Sequence, residues 1–419
     1  MLQMLSLFYL FLEERQVIKL FKKLKVGKHA NEYLVRIQPT DKVTGKRINW
    51  PVKYADNRKN AIKLERQMWA EYESGLNPND GKVVFADDFK RYVKLRSKSI
   101  SKVTLKSWQE TARSVNSYFG KARIDQISTA MVNKYAHDYV AKHKATVSRS
   151  SNIAKRLIHL RNYFKSLEGK VIKENPVPEN ALKVFFKQSD FTVSQEWRIF
   201  TTDELVKIRK LIVHDLKHNP VEMNGSKLAI LIESYTGMRV GELQALKFSN
   251  IVRDEDVLTF RINDSWSDLT KSFNGSLKAR PKGYTRTLLP IPQDVIDLVR
   301  IYQARQKQFL VDHDLCNPLD LVFMNIHDYK KASNQEPITQ KSINEMLRKI
   351  CQQLDINSNG QRMSLYSFRH TVCTQLANTP KMSYPWAADK MGHSLQMFMK
   401  TYVGLSEDIN KKMNELWVG

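Results

Sequence analysis

The sequence predicts a multidomain chain, mainly α-helical with small β elements. Three observations carry that reading. At 419 residues the chain is long enough for two to four domains, each with a sizeable core. Apolar residues recur at helical spacing through most of the middle and the C-terminal part. Strand-like alternation is confined to short stretches near residues 32–50 and 257–291.

The opening segment, MLQMLSLFYLFLEERQ within residues 1–21, lacks a basic leader and a small-residue cleavage site, so it does not read as a signal peptide. Two readings stand for it: an amphipathic helix packed on its neighbour, or the product of an early start codon. Residues 22–81 change pattern. Glu32-Tyr33-Leu34-Val35-Arg36-Ile37 alternates as a strand, and a turn through Gly45, Lys46 and Arg47 leads to a second strand, Ile48-Asn49-Trp50. A third short strand is expected before Asp56, which caps a helix carrying Ala61, Leu64, Met68, Trp69 and Tyr72. This is a small ββ(β)α unit with a basic hairpin.

Residues 75–83, ESGLNPNDG, have the composition of a linker. A helical domain follows over 84–188, with helices expected at 85–95, 103–119, 128–143 and 148–168. The last sets Lys155, Arg156, Arg161 and Lys165 beside an apolar face of Ile153, Leu157, Leu160 and Phe164. Asn175-Pro176-Val177-Pro178 ends that pattern, and residues 182–198 form a basic connection. The last domain, 196–419, opens on a capping box in which Thr201 precedes Glu204 by three.

Lys plus Arg number 68 against 43 Asp plus Glu, a formal charge of +25 with a pI near 9.7. The excess is spread along the chain, which favours a polyanion touched by several domains. A membrane surface would also attract it, but no run of 18 apolar residues occurs. Nucleic acid is the better partner. Cys316, Cys351 and Cys373 are widely spaced, without metal-ligand or disulfide patterning, as suits a reducing cytosol. The histidines form no metal-binding motif, so no metal centre is expected.

The chemistry concentrates in residues 363–405. Arg369-His370-Thr371, Gly392-His393-Ser394 and the hydroxyl of Tyr402 interrupt apolar segments there. Arginine offers a planar fork of donors suited to phosphate. Histidine donates to an oxyanion or moves a proton near neutral pH. Tyrosine can act as a nucleophile and divide a displacement into two steps. Ser394 reads as the N-cap of a short helix with Leu395, Phe398, Met399 and Tyr402 on one stripe, which sets Tyr402 about 11–12 Å beyond the cap. In one straight helix His393 and Tyr402 would face opposite sides, so a break at Gly392 is required if both address one atom. Upstream, Tyr235-Thr236-Gly237-Met238-Arg239 reads as a helix stopped by Gly237, with Arg239 in the first turn of the next, where free backbone N–H groups favour an anion.

With TGMRVGELQAL at 236–246, FRHT at 368–371, MGHS at 391–394 and Tyr402 nine residues after His393, the chain resembles the tyrosine recombinases, the phage-type integrases, over residues 195–410. The resemblance implies that Arg239 and Arg369 clamp a scissile phosphate, His393 donates to a non-bridging oxygen, and Tyr402 attacks. His370 would support Arg369 without touching phosphate. The family pattern sets His three residues before the second arginine; here that position is Tyr366, a poor base at neutral pH. Family members also carry a hairpin lysine that protonates the leaving 5′ oxygen. Lys282, eight residues before Pro290, is the first choice, Lys278 the alternative and Lys271 a distant third.

By the same resemblance residues 22–81 are an arm-type DNA-binding domain reaching DNA through Lys46 and Arg47. Residues 84–188 are a core-binding domain that forms a C-shaped clamp with the catalytic domain. The implied partners are double-stranded DNA at core and arm sites, three further protomers in a homo-tetramer on DNA, a DNA-bending accessory protein and an excisionase. One ester replaces another in this chemistry, so no cofactor, nucleotide or divalent metal is implied. The tail 406–419 carries an apolar stripe that packs on a neighbouring protomer or folds back in cis. Rival readings are a chromosome dimer-resolving recombinase, which usually lacks an N-terminal ββα module, a type IB topoisomerase, and a DNA-binding regulator with a decayed site.

Overall fold

The computed structural model describes residues 21–41, 45–74, 80–193, 195–403, 414–415 and 417–418. They fall into two compact units, Met1–Ser194 and Gln195–Gly419. The expectations for the opening segment and for the packing of the tail lie outside the described residues.

In the first unit, β1 (Phe21–Lys23), β2 (Tyr33–Val35) and β3 (Lys53–Ala55) form an antiparallel sheet in that order. Val35, Ile37, Trp50, Ala55, Ala61 and Met68 make its core with α1 (Arg58–Glu73). The expected strand Ile48-Asn49-Trp50 is not one. Pro51 removes an amide donor and restricts Trp50, so only an isolated Thr40–Arg47 bridge forms there and the strand resumes at Lys53. The α1 cap is also one residue later than expected. Asn57 accepts the Asn60 amide at 2.8 Å, whereas Asp56 takes the Asn60 side-chain amide at 2.7 Å.

The same unit continues as helices α2 (Phe85–Arg96), α3 (Lys102–Phe119), α4 (Thr129–His143), α5 (Asn152–Leu167) and the short α6 (Ala181–Phe185). Ser101, Ser128 and Ser151 cap α3, α4 and α5 through their hydroxyls, which explains why each begins where it does. The core is aromatic, with Phe85, Phe89, Trp108, Tyr163 and Phe164 fully or nearly fully buried. Two polar groups are satisfied inside it: Asp88 accepts from the Tyr163 hydroxyl at 2.9 Å, and His159 stacks on Trp108 at 3.9 Å while bonded to Thr111 at 2.7 Å.

The second unit begins with α7 (Thr202–His218), whose capping box is formed as the sequence indicates: Thr201 and Glu204 exchange bonds of 2.8 and 3.2 Å. Helix α8 (Gly225–Thr236) runs through the core and packs against α7, α12 (Gln340–Gln353) and α13 (Leu365–Asn378). After α9 (Val240–Gln244), strands β4 (Ile251–Asp254) and β5 (Val257–Ile262) pair, and β8 (Arg286–Thr287) adds to β5. Regular pairing of the expected strand 286–291 stops at Thr287, because Pro290 has no amide to donate. Leu288 and Ile291 still donate to the carbonyls of Phe260 and Leu258. A separate hairpin, β6 (Trp266–Ser267) with β7 (Ser272–Phe273), lies against α9 so closely that a Cβ on Gly241 would come within 2.6 Å of the Trp266 carbonyl. Helices α10 (Gln293–Asp312) and α11 (Tyr329–Ser333) precede α12, and the chain closes through α14 (Tyr384–Met391) and α15 (Leu395–Tyr402). Among the described residues no helix is long and apolar enough to cross a membrane.

Candidate active site

Two glycines in the left-handed region open the space for the site. Gly237 (φ +53°) ends α8, and a Cβ there would meet Met391 Cε at 2.9 Å and Arg369 Cα at 3.2 Å. Gly392 (φ +63°) ends α14, and a Cβ there would lie 3.0 Å from Arg239 Nη1 and 3.1 Å from Arg286 Cζ. The backbone must turn sharply at both points and pass close to guanidinium groups.

Arg239 is the extended N-cap of α9 rather than a residue of its first turn. Glu242 closes a capping box with it: the carboxylate accepts the Arg239 amide and Nη1, both at 3.1 Å. Arg239 Nη2 donates to the Gly392 carbonyl at 2.7 Å. Arg369, on α13, has no exposed surface. Its Nη1 donates to the Gly237 carbonyl at 2.9 Å, and its Nη2 to the Met391 carbonyl at 2.6 Å and to His393 Nε2 at 2.5 Å. Because a guanidinium cannot accept a hydrogen bond, His393 Nε2 is the acceptor and the neutral ring carries its proton on Nδ1. That Nδ1 is buried and without a partner. Burial, then Arg369, Arg239, Arg286 and His370, push His393 down to about 3.

Ser394 caps α15 by accepting the Met397 amide at 3.2 Å, and the eight-residue helix carries Tyr402 back over His393. The two rings are nearly parallel with centroids 5.6 Å apart. Tyr402 is 6% exposed, and its hydroxyl is buried without a hydrogen-bond partner of good geometry, beside the Cys373 thiol. Burial and Cys373 raise the phenol above its ordinary value, and Arg369 opposes them. The stripe expected on α15 is narrower than predicted: Phe398 and Tyr402 are buried, while Leu395 and Met399 are exposed. Tyr366 does not reach the guanidinium cluster by any hydrogen bond. Its ring packs edge-on to Trp197 and to His370, each at 4.9 Å. His370 stacks on Trp197 and lies 5.4 Å from the Tyr402 ring, pushed down to about 4 by burial and Arg369.

Three site residues escaped the sequence reading. Arg286, on β8, is buried; its Nη2 donates to Glu242 at 2.8 Å and its Nη1 to the Lys390 carbonyl. Glu242 was visible as a residue three after Arg239, the spacing of a capping box. Burial opposes ionisation of Glu242, but Arg286 and Arg239 outweigh it and hold the carboxyl below the usual range. Glu233, on α8, has no exposed surface and no partner on either oxygen. Burial raises it well above the carboxylate range, and Arg369 opposes that shift. Arg239, Arg286 and Arg369 all favour the charged form of Glu242, and a cluster of three guanidiniums suits an anion.

The lysines lie on the connection between β5 and β8. Lys282 and Lys278 are exposed and, among the described residues, have no ion-pair partner; Lys271 pairs with Glu336 at 3.4 Å. Of the expected DNA contacts, Lys46, Arg47, Lys155 and Lys165 are exposed. Arg156 lies over the Tyr139 ring at 4.5 Å, and Arg161 donates to the Val177 carbonyl at 2.8 Å and pairs with Glu179 at 3.5 Å. Among the described residues no group of side chains could hold a metal ion.

Residues 200–408 match the model of the phage integrase family. This unit belongs to the phage integrase family. The integrase is thus a tyrosine-type site-specific recombinase, an enzyme that breaks and rejoins DNA. Its fold is similar to that of the Tn1549 transposon integrase in complex with transposon right end DNA (15% identity, 80% of this chain and 100% of that one, TM-score 0.57). It is also similar to the XerH site-specific recombinase bound to a palindromic difH substrate (13% identity, 87% of this chain and 90% of that one, TM-score 0.56). At these identities the likeness is one of fold. No curated protein matches the sequence of the integrase.

Proposed function

We propose that the integrase carries out mobile-element integration through a 3′-phosphotyrosyl intermediate at Tyr402. The observation that carries this reading is the convergence of four distant segments: Arg239 on the Gly392 carbonyl, Arg369 on His393, and the Tyr402 ring stacked over His393. A phosphodiester entering this cluster competes with the backbone carbonyls for the N–H groups of Arg239 and Arg369. Charge developing on its non-bridging oxygens is then met by the two guanidiniums and the Nδ1–H of His393. Tyr402 Oη releases its proton to solvent and forms a bond to phosphorus as the bond to O5′ breaks. Lys282, or Lys278 in its place, gives the leaving oxygen its proton. Attack of a partner strand's 5′-hydroxyl reverses each step, so the ester count is conserved and no external energy source is needed.

The same reading assigns the sheet of β1 to β3, with Lys46 and Arg47 beyond it, to arm-type DNA, and Lys155, Arg156, Arg161 and Lys165 to core DNA. Arg161 serves that role less directly, since its guanidinium is engaged by Val177 and Glu179. The Tn1549 and XerH structures are complexes with DNA. Assembly as a homo-tetramer on DNA, with a bending protein and an excisionase as accessory partners, follows from the same class of reaction. A core-site duplex nicked near the cleavage position traps the intermediate. A Tyr402-dependent covalent protein–DNA adduct is the expected result; its absence leaves a DNA-binding regulator, and plasmid relaxation without strand exchange indicates a topoisomerase.

A further inference from the structure

Arg286 makes no use of its charge at the surface. It is 4% exposed, and its two terminal nitrogens go to different parts of the site: Nη2 to Glu242 on α9, Nη1 to the carbonyl of Lys390 in the last turn of α14. Glu242 holds the amide and the guanidinium of Arg239, and Lys390 stands two residues before Gly392 and three before His393. The neighbouring residue on β8 acts on the same turn, since Thr287 Oγ1 accepts from Lys390 Nζ at 2.6 Å, with Asp254 of β4 at 3.4 Å. Gly392 leaves no room for a side chain between Arg239 and Arg286.

We propose that Arg286 is a positioning residue for strand cleavage: its planar fork fixes the distance between the Arg239 clamp and the Gly392–His393 turn. The proposal rests on the reading of Tyr402 as nucleophile and of Arg239 and His393 as phosphate ligands. Arg286 acts on the two phosphate ligands through its partners, Glu242 and the Lys390 carbonyl. A guanidinium is needed there because one rigid plane must serve a carboxylate and a carbonyl at once. An ammonium at the same place would neutralise Glu242 yet could not hold both partners in the same geometry. Loss of the brace lets two phosphate ligands drift apart, and a misplacement of about 1 Å costs on the order of 100-fold in rate.

The test uses the full chain and three readouts: the rate of Tyr402 adduct formation on a nicked core-site duplex, affinity for the intact duplex, and thermal melting. Arg286→Lys is expected to melt with the wild-type protein, bind DNA within about threefold, and form adduct at least about tenfold more slowly. Arg286→Gln is expected to be slower again, by about 100-fold, at similar affinity. A further readout is the titration of the His393 ring, which Arg369, Arg239, Arg286 and His370 all press towards the neutral form. It should move up in Arg286→Gln and stay in place in Arg286→Lys. A folded variant that cleaves at the wild-type rate overturns the proposal, as does a rate loss matched by an equal loss of binding. If Arg286→Gln does not fold, Arg286→Lys decides, and failure of the lysine variant to fold shows a role in the fold alone. An inactive wild-type protein would instead sink the reading of Tyr402.

Discussion

Arg369 donates to Nε2 of His393 at 2.5 Å, across 24 residues of sequence. The bond fixes more than a contact. It sets the histidine tautomer, leaves Nδ1–H as a buried donor without a hydrogen-bond partner, and, with burial, holds the ring neutral down to about pH 3. In the DNA-free protein the His393 ring should show the Nδ1-protonated neutral form by nitrogen-15 chemical shift from pH 8 down to pH 5. Observation of an imidazolium at pH 6 would contradict this arrangement. The phosphate's negative charge is expected to raise the ring's affinity for a proton, so the same titration should move up on binding a core-site duplex.

Tyr402→Phe separates chemistry from folding. The hydroxyl is buried without a hydrogen-bond partner of good geometry, so its removal costs no satisfied bond and relieves a desolvated polar group. The variant should form no covalent adduct, bind DNA with nearly unchanged affinity, and unfold at equal or higher stability, by up to about 1 kcal/mol. A loss of more than that in urea unfolding would mean the phenol has a structural bond that its present surroundings do not explain.

Arg369→Ala removes a donor set from the site and a buried charge from the core. Cleavage should fall by about 3–4 kcal/mol in the transition state, the loss typical of a preorganised charged donor. Tyr366→His tests the neighbouring position. The Tyr366 ring packs edge-on to Trp197 and His370, and a histidine there should fold and cleave at the wild-type rate or faster. Strong loss of adduct formation in Tyr366→His would assign the phenol a role in the reaction.

Much of this site was legible because it is written in local signals. The Thr201–Glu204 box, the stop at Gly237, the break at Gly392 and the Ser394 cap are each set by a few adjacent residues, and each is formed. What was not legible depends on distant partners. Arg286 reads locally as the edge of an apolar strand, and only the fold brings Glu242 and Lys390 to it. Glu233 carries no local signal, and its burial comes from the three helices that pack on α8. The strand expected at Ile48-Asn49-Trp50 fails for a local reason, the proline at position 51.

The choice between Lys282 and Lys278 rests on which ammonium meets the leaving oxygen, and both are exposed. A duplex whose leaving oxygen is replaced by sulfur needs no proton donor at that atom. If Lys282 is the general acid, Lys282→Ala should lose about 100-fold or more on the oxygen substrate and regain most of it on the sulfur one. Lys278→Ala should then lose less, and equally on both. The reverse pattern transfers the role to Lys278.

His159 makes the stability of the first unit depend on pH. The ring is buried on Trp108 and bonded to Thr111, and burial, with Arg156, Arg96 and Lys155, pushes it from 6.5 down to about 4. The unfolded chain therefore binds a proton that the folded one refuses between those values. The stabilisation is complete above pH 6.5 and is lost as pH falls towards 4, by about 2 kcal/mol between pH 7 and pH 5. His159→Phe keeps the stacking, and the Thr111 hydroxyl retains the Ser107 carbonyl at 3.1 Å, so no polar group is orphaned. Amide exchange of α5 in the two proteins should diverge as pH falls from 7 to 5, the phenylalanine variant losing about 2 kcal/mol less. Parallel curves would show that the imidazole is protonated in the fold and that a charge lies within reach of it.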